Sequence, residues 1–140
     1  MAKVVLDTSA FLAVANREPG AEGVYSLLPD AVLSVVNAAE VLQKLGQKGM
    51  TLQKADEYVR RFIGEIAPFD YQQAALVASL LAETQSLGLS FCARACLALG
   101  KTLDVPVITA DEAWLKLNLG IKIETIQANP VIEPGTGTGQ

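Results

Sequence analysis

Lys3-Val4-Val5-Leu6-Asp7-Thr8-Ser9 sets the pattern that the rest of the chain repeats, a strand that turns directly into a helix. A short apolar run rich in β-branched residues, with no polar alternation, predicts a buried central strand. Asp7-Thr8-Ser9 ends it with helix-capping chemistry. Ala10 to Ala15 follow as a short helix that stops before Pro19-Gly20.

The same alternation continues outward. Residues 21–28 add a turn or two of helix, ending at Leu28-Pro29-Asp30. Val32-Leu33-Ser34-Val35 is a second strand. Asn37 to Lys48 is a helix with apolar residues at 38, 41, 42 and 45, and Gly49 is its C-cap. Thr51 opens a helix to about Ile63, and Ile66-Ala67-Pro68-Phe69 is an edge strand because of its proline. Asp70 and Gln73 form a capping box for a helix to about Gln85, which Leu87-Gly88-Leu89 breaks. Ser90 caps a helix through Leu99. Pro106 to Thr109 is a strand, Asp111 opens a short helix to about Leu117, and Ile123 to Ile126 is the last strand. Strands that alternate with helices predict a three-layer α/β/α fold around a mostly parallel sheet of four to five strands. The expectation is one domain over residues 1–128, with a flexible tail from Asn129 to Gln140. In such folds a ligand site lies beyond the carboxyl ends of the strands, where strand order reverses.

Composition narrows the chemistry. The chain has 140 residues, 51% of them hydrophobic and 19% charged, enough for a real core. It contains no histidine, which excludes Ser–His–Asp and Cys–His pairs, His-ligated zinc and a His-based ribonuclease. A net charge of −4 is poor for holding nucleic acid by bulk electrostatics, but it leaves open a site where a cation bridges carboxylates and nucleic acid. Cys92 and Cys96 cannot close a zinc site and read as buried small hydrophobes. No apolar stretch has the length of a signal peptide or membrane span, so a soluble protein of the reducing cytoplasm, with no membrane partner, is expected.

Three carboxylates stand out by position. Asp7 ends the first strand, Asp111 follows the strand that ends at Thr109, and Glu40 lies in the first turn of the helix after the second strand. Each alone reads as a cap or as a partner of a helix dipole. Together they share one rim of the sheet, where they would repel one another unless a cation sat among them. An oxygen-only cluster suits Mg²⁺ or Mn²⁺, which could polarise a phosphodiester and activate a water. Thr8 and Ser9 read as caps or ligand-orienting hydroxyls, and Asn37 as a cap or a polar neighbour of the site. Arg94 reads as a solvated helix residue or as a contact to phosphate or to a protein partner. Arg60-Arg61 reads as a solvated face. Phe11 is assigned to the core, and Trp114 to the core or to a base.

Val5-Leu6-Asp7-Thr8-Ser9-Ala10, Ser34-Val35-Val36-Asn37-Ala38-Ala39-Glu40-Val41, Leu89-Ser90-Phe91-Cys92-Ala93-Arg94 and Val107-Ile108-Thr109-Ala110-Asp111 resemble the successive motifs of a PIN domain. The likeness is closest to the ribonuclease toxins of VapBC toxin–antitoxin pairs and spans about residues 3–127. It implies a PIN fold, endoribonuclease activity on single-stranded or structured RNA, Mg²⁺ or Mn²⁺ as cofactor, and a small antitoxin as partner. It carries the acidic metal-binding and catalytic positions to Asp7, Glu40 and Asp111, with Thr8, Asn37, Ala93, Arg94 and Thr109 as neighbours. It also implies a homodimer, which the Ala- and Leu-rich composition independently suggests. The chain departs from the family at Ala93, where an aspartate usually stands. One cation could still bind three carboxylates, whereas a second would be weak. The alternative is a catalytically lapsed PIN-fold module that binds an antitoxin, RNA or itself.

Overall fold

The computed structural model describes residues 3–126. Five strands, β1 (Val4–Leu6), β2 (Ala31–Ser34), β3 (Glu65–Ala67), β4 (Val107–Thr109) and β5 (Ile123–Thr125), form one sheet in the order β3-β2-β1-β4-β5. Every pairing is parallel, including Val5 with Val32 and Leu6 with Ile108. The helices are α1 (Thr8–Ala15), α2 (Val35–Gln47), α3 (Leu52–Phe62), α4 (Tyr71–Ser79), α5 (Leu81–Thr84) and α6 (Phe91–Leu103). Three 3₁₀ segments, Ala21–Asp30, Gln85–Leu87 and Glu112–Lys116, complete the connections. The tail expected over residues 129–140 lies outside the described residues.

Side-chain alternation sorts the strands into two cores. Val4 and Leu6, Ala31 and Leu33, and Ile108 face one layer, where they meet Phe11 and Val14 of α1, Val41 and Leu45 of α2, and Val59 of α3. Val5, Val32 and Val107 face the other, where they meet Cys96, Leu97 and Leu99 of α6 with Trp114 and Leu119. The expected three-layer fold is therefore observed, and the sheet is parallel throughout. Gly100 allows α6 to lie close on the sheet, since a Cβ there would run into Val107 Cγ2. Phe11 and Trp114 are both core residues. No helix among the described residues is long and apolar enough to cross a membrane.

Several local expectations need correction. Helix α2 begins at Val35, not Asn37, because Ser34 accepts the Val36 amide as its N-cap. The strand accordingly ends at Ser34, Glu40 falls in the second turn, and Asn37 is no cap. Asp70 caps α4 through the Gln73 amide, but the Gln73 side chain donates to the Pro68 carbonyl, so the reciprocal half of a capping box is absent. The helix expected to run to Gln85 breaks at Leu80. Arg94 Nη1 donates to the Val77 carbonyl at 2.8 Å, the acceptor that a continuous helix offers to Leu81, while the Thr84 hydroxyl takes the Leu80 carbonyl. Helix α6 continues four residues past Leu99, to Leu103.

Candidate metal centre at the strand switch point

Strand order reverses between β1 and β4, so the carboxyl ends of these two strands flank the crevice where α/β proteins bind ligands. Asp7 stands at that point, 4% exposed. It is the N-cap of α1, with Oδ1 accepting the Ala10 amide at 2.7 Å. The Ser9 hydroxyl lies 2.8 and 2.9 Å from its two oxygens, and the Thr109 hydroxyl donates to Oδ2 at 2.7 Å. Burial raises the Asp7 pKa above the ordinary carboxylate value. The donors from Thr109, Ala10 and Ser9 oppose that shift, and the negative charge of Asp111 adds to it. No Lys or Arg forms an ion pair with Asp7 among the described residues.

Glu40 reaches the same cleft from α2. Its Oε1 accepts the Thr8 hydroxyl at 2.6 Å, and Thr8 Oγ1 in turn accepts Asn37 Nδ2 at 3.2 Å. Asn37 Nδ2 also donates to the Cys92 carbonyl at 3.0 Å, which links α2 to the first turn of α6. Asp7, Thr8, Ser9, Leu12, Asn37, Glu40, Lys44, Ser90 and Ala93 line a cleft of about 230 Å³. The Ala93 methyl thus opens onto the cleft that holds Asp7 and Glu40.

Asp111 sits at the margin. Its Oδ1 caps the 3₁₀ segment Glu112–Lys116 through the Ala113 amide, and its own amide donates to Thr109 Oγ1. It is near enough to raise the Asp7 pKa, but it does not line the cleft. No three His, Cys, Asp or Glu side chains lie close enough to hold a metal between them among the described residues. The donors are nevertheless hard oxygens with no protein cation neutralising Asp7. Mg²⁺ commonly binds through one or two carboxylates and keeps its remaining waters, so Asp7 and Glu40 fit one such cation.

Arg94 points away from the cleft. Its guanidinium is tied to Val77 and lies 5.9 Å from the centre of the Phe91 ring. Cys96 is buried as expected, but Cys92 is only half-buried. It lines a neighbouring groove with Val35, Phe69, Glu40 and Lys44. Burial, then the charge and hydrogen bonding of Glu40, raise the Cys92 pKa. Sequence reasoning missed Lys44, which lines both the cleft and the groove. Its spacing of four from Glu40 on one helix face was the available signal.

Residues 4–118 match the family model described as the PIN domain. Among solved structures, the chain is similar to the DNA-bound VapBC of Salmonella typhimurium, at 20% identity and a TM-score of 0.71, covering 91% of this chain and 100% of that one. It is similar to VapBC-5 of Mycobacterium tuberculosis, a member of the VapBC family of toxin–antitoxin systems, at 25% identity and a TM-score of 0.59, covering 91% and 100%. It is also similar to Mycobacterium tuberculosis VapC20, described as a sarcin-ricin loop cleaving toxin, at 13% identity and a TM-score of 0.67, covering 85% and 98%. No curated protein matches the chain.

Proposed function

The chain belongs to the PIN domain family, and from that premise we propose that it is a VapC-like endoribonuclease that depends on Mg²⁺ or Mn²⁺. Asp7 and Glu40 are its central acids, with Asp111 completing the acidic rim. One observation carries the reading. Asp7 is a buried carboxylate at the strand switch point, held by three donors and paired with no cation of the chain among the described residues. An ion pair would suffice for structure alone, whereas an acid held this way suits an external cation.

In this reading the chain's own groups have distinct tasks. Ser9, Thr109 and the Ala10 amide keep Asp7 ionisable and fixed. Thr8 orients Glu40. Lys44 provides a positive charge for a backbone phosphate beside the cleft. Asp7 and Glu40 would hold the cation, with Asp111 contributing charge at the margin. When bound, such a cation polarises a phosphodiester and lowers the pKa of a coordinated water. The partner is a small antitoxin, as the VapBC character of the structural neighbours supports, and the substrate is RNA, as the likeness to a toxin described as cleaving the sarcin-ricin loop supports. Homodimerisation is part of the proposal, supported by the exposed apolar side chains of Val35, Tyr71, Leu81 and Phe91. The cytoplasm is the proposed compartment.

Ala93 favours one second reading, a PIN-fold binding module that has lost its chemistry, because the cleft has a methyl group where the family resemblance expects an acid. Cleavage of a mixed single-stranded RNA pool in Mg²⁺ and in Mn²⁺, with EDTA controls, separates the two. Cleavage that EDTA abolishes and that Asp7→Ala lacks is the expected result. Cleavage that survives Asp7→Ala overturns the assignment. Silence in both metals leaves the binding module as the better reading.

A further inference from the structure

The Asn37 amide is satisfied at one end only. Nδ2 donates to Thr8 Oγ1 and to the Cys92 carbonyl. The second bond fixes the orientation of the amide, because a carbonyl oxygen accepts and would repel Oδ1. Oδ1 has no partner among the described residues, although the residue is only 1% exposed. Buried amide oxygens are almost always bonded, so an orphan of this kind needs an explanation.

Its surroundings supply one. Asn37 lines the same cleft as Asp7, Glu40 and Ala93. It precedes Glu40 by three residues on α2 and therefore shares its helix face. We infer that Asn37 Oδ1 is a neutral oxygen donor to the divalent cation held by Asp7 and Glu40, a donor in a cleft where Ala93 offers only a methyl group. The inference rests on the metal-dependent reading above. An amide oxygen is a hard donor suited to Mg²⁺ and Mn²⁺. Unlike a further carboxylate, it adds no repulsion to the two acids already there.

Asn37 also acts on Glu40 through Thr8, and the test must separate these routes. Mn²⁺ affinity is measured by titration calorimetry on the full chain, on Thr8→Val, on Asn37→Ala and on the double variant. Asn37→Ala is expected to weaken Mn²⁺ binding about tenfold or more, the scale of a single group around a metal. A similar factor is expected when Thr8→Val has already severed the route to Glu40. An unchanged affinity on adding Asn37→Ala to Thr8→Val overturns the inference and leaves the metal-dependent reading intact. If Asn37→Ala does not fold, a measurement on the unsubstituted chain carries the test. The readout is then the Asn37 side-chain carbonyl carbon resonance of the unsubstituted chain under Mg²⁺ titration: a shift that saturates with binding is expected, and a resonance that stays in place while Mg²⁺ binds overturns the inference. Absence of Mn²⁺ binding by the unsubstituted chain overturns the metal-dependent reading itself.

Discussion

The Thr109 hydroxyl donates to Asp7 Oδ2 at 2.7 Å, across 102 residues of sequence. The same oxygen accepts the Asp111 amide, so one side chain at the end of β4 serves two of the three rim acids. Its bond to Asp7 opposes the pKa rise that burial imposes. Thr109→Val should therefore push the Asp7 pKa further up, so that Mn²⁺ binding sets in at higher pH than in the unsubstituted chain. Thr109→Ser should restore the original profile. Loss of these two bonds should also cost about 1–3 kcal/mol in a denaturant melt. A pH profile of Mn²⁺ affinity that does not move refutes the role.

Asp7 should be a stability cost at neutral pH. Its folded pKa is raised, so its favourable contribution is fully present below the unfolded carboxylate pKa and is lost as pH rises through the folded value. Asp7→Asn should melt higher than the unsubstituted chain at pH 7 without divalent cations, by roughly 2–4 °C. The gap should close in acid and should also narrow when Mg²⁺ is added. A lower melting temperature for Asp7→Asn at pH 7 contradicts this account.

Ala93→Asp should add a third carboxylate to the cleft. Without metal the variant should be less stable, because three like charges share one small space. With Mn²⁺ it should bind about tenfold more tightly or better, and RNA cleavage should rise with it. Calorimetry and a cleavage assay run together check both. If neither changes, the cleft is not simply one ligand short.

Lys44→Gln should weaken RNA association while leaving the chemical step nearly unchanged, seen as a higher KM at similar kcat. Removing one phosphate contact should reduce the salt slope of single-strand binding by about 0.7. An unchanged slope would remove Lys44 from the substrate path.

Much of this architecture was legible because the decisive signals are local. Asp7, Thr51, Asp70 and Ser90 each accept the amide three residues along the chain, so their capping roles can be read from the sequence around them. The exceptions depend on partners far away. Val35 and Val36 have β-branched side chains suited to a strand, yet the Ser34 cap turns them into helix. The break at Leu80 involves Arg94, whose bond to Val77 spans 17 residues. Within the candidate site, Asp7 and Glu40 could be brought together by strand-end reasoning. The Asp111 cap, a bond to the amide two residues along, was legible too, whereas that Ala93 faces the cleft and that Asn37 keeps an unbonded oxygen depend on how α1, α2 and α6 converge.

The place of β1 between β2 and β4 has a consequence for synthesis on the ribosome. β1, which leads into Asp7, is made well before its neighbour β4, which begins only at Val107. Until β4 has left the exit tunnel, one edge of β1 is unpaired and Asp7 lacks its Thr109 donor. Pairing over so long a separation forms late and slowly. A growing polypeptide of this design therefore assembles its centre only once β4 has emerged, and products cut before Val107 carry the Asp7 and Glu40 motifs without the Thr109 donor.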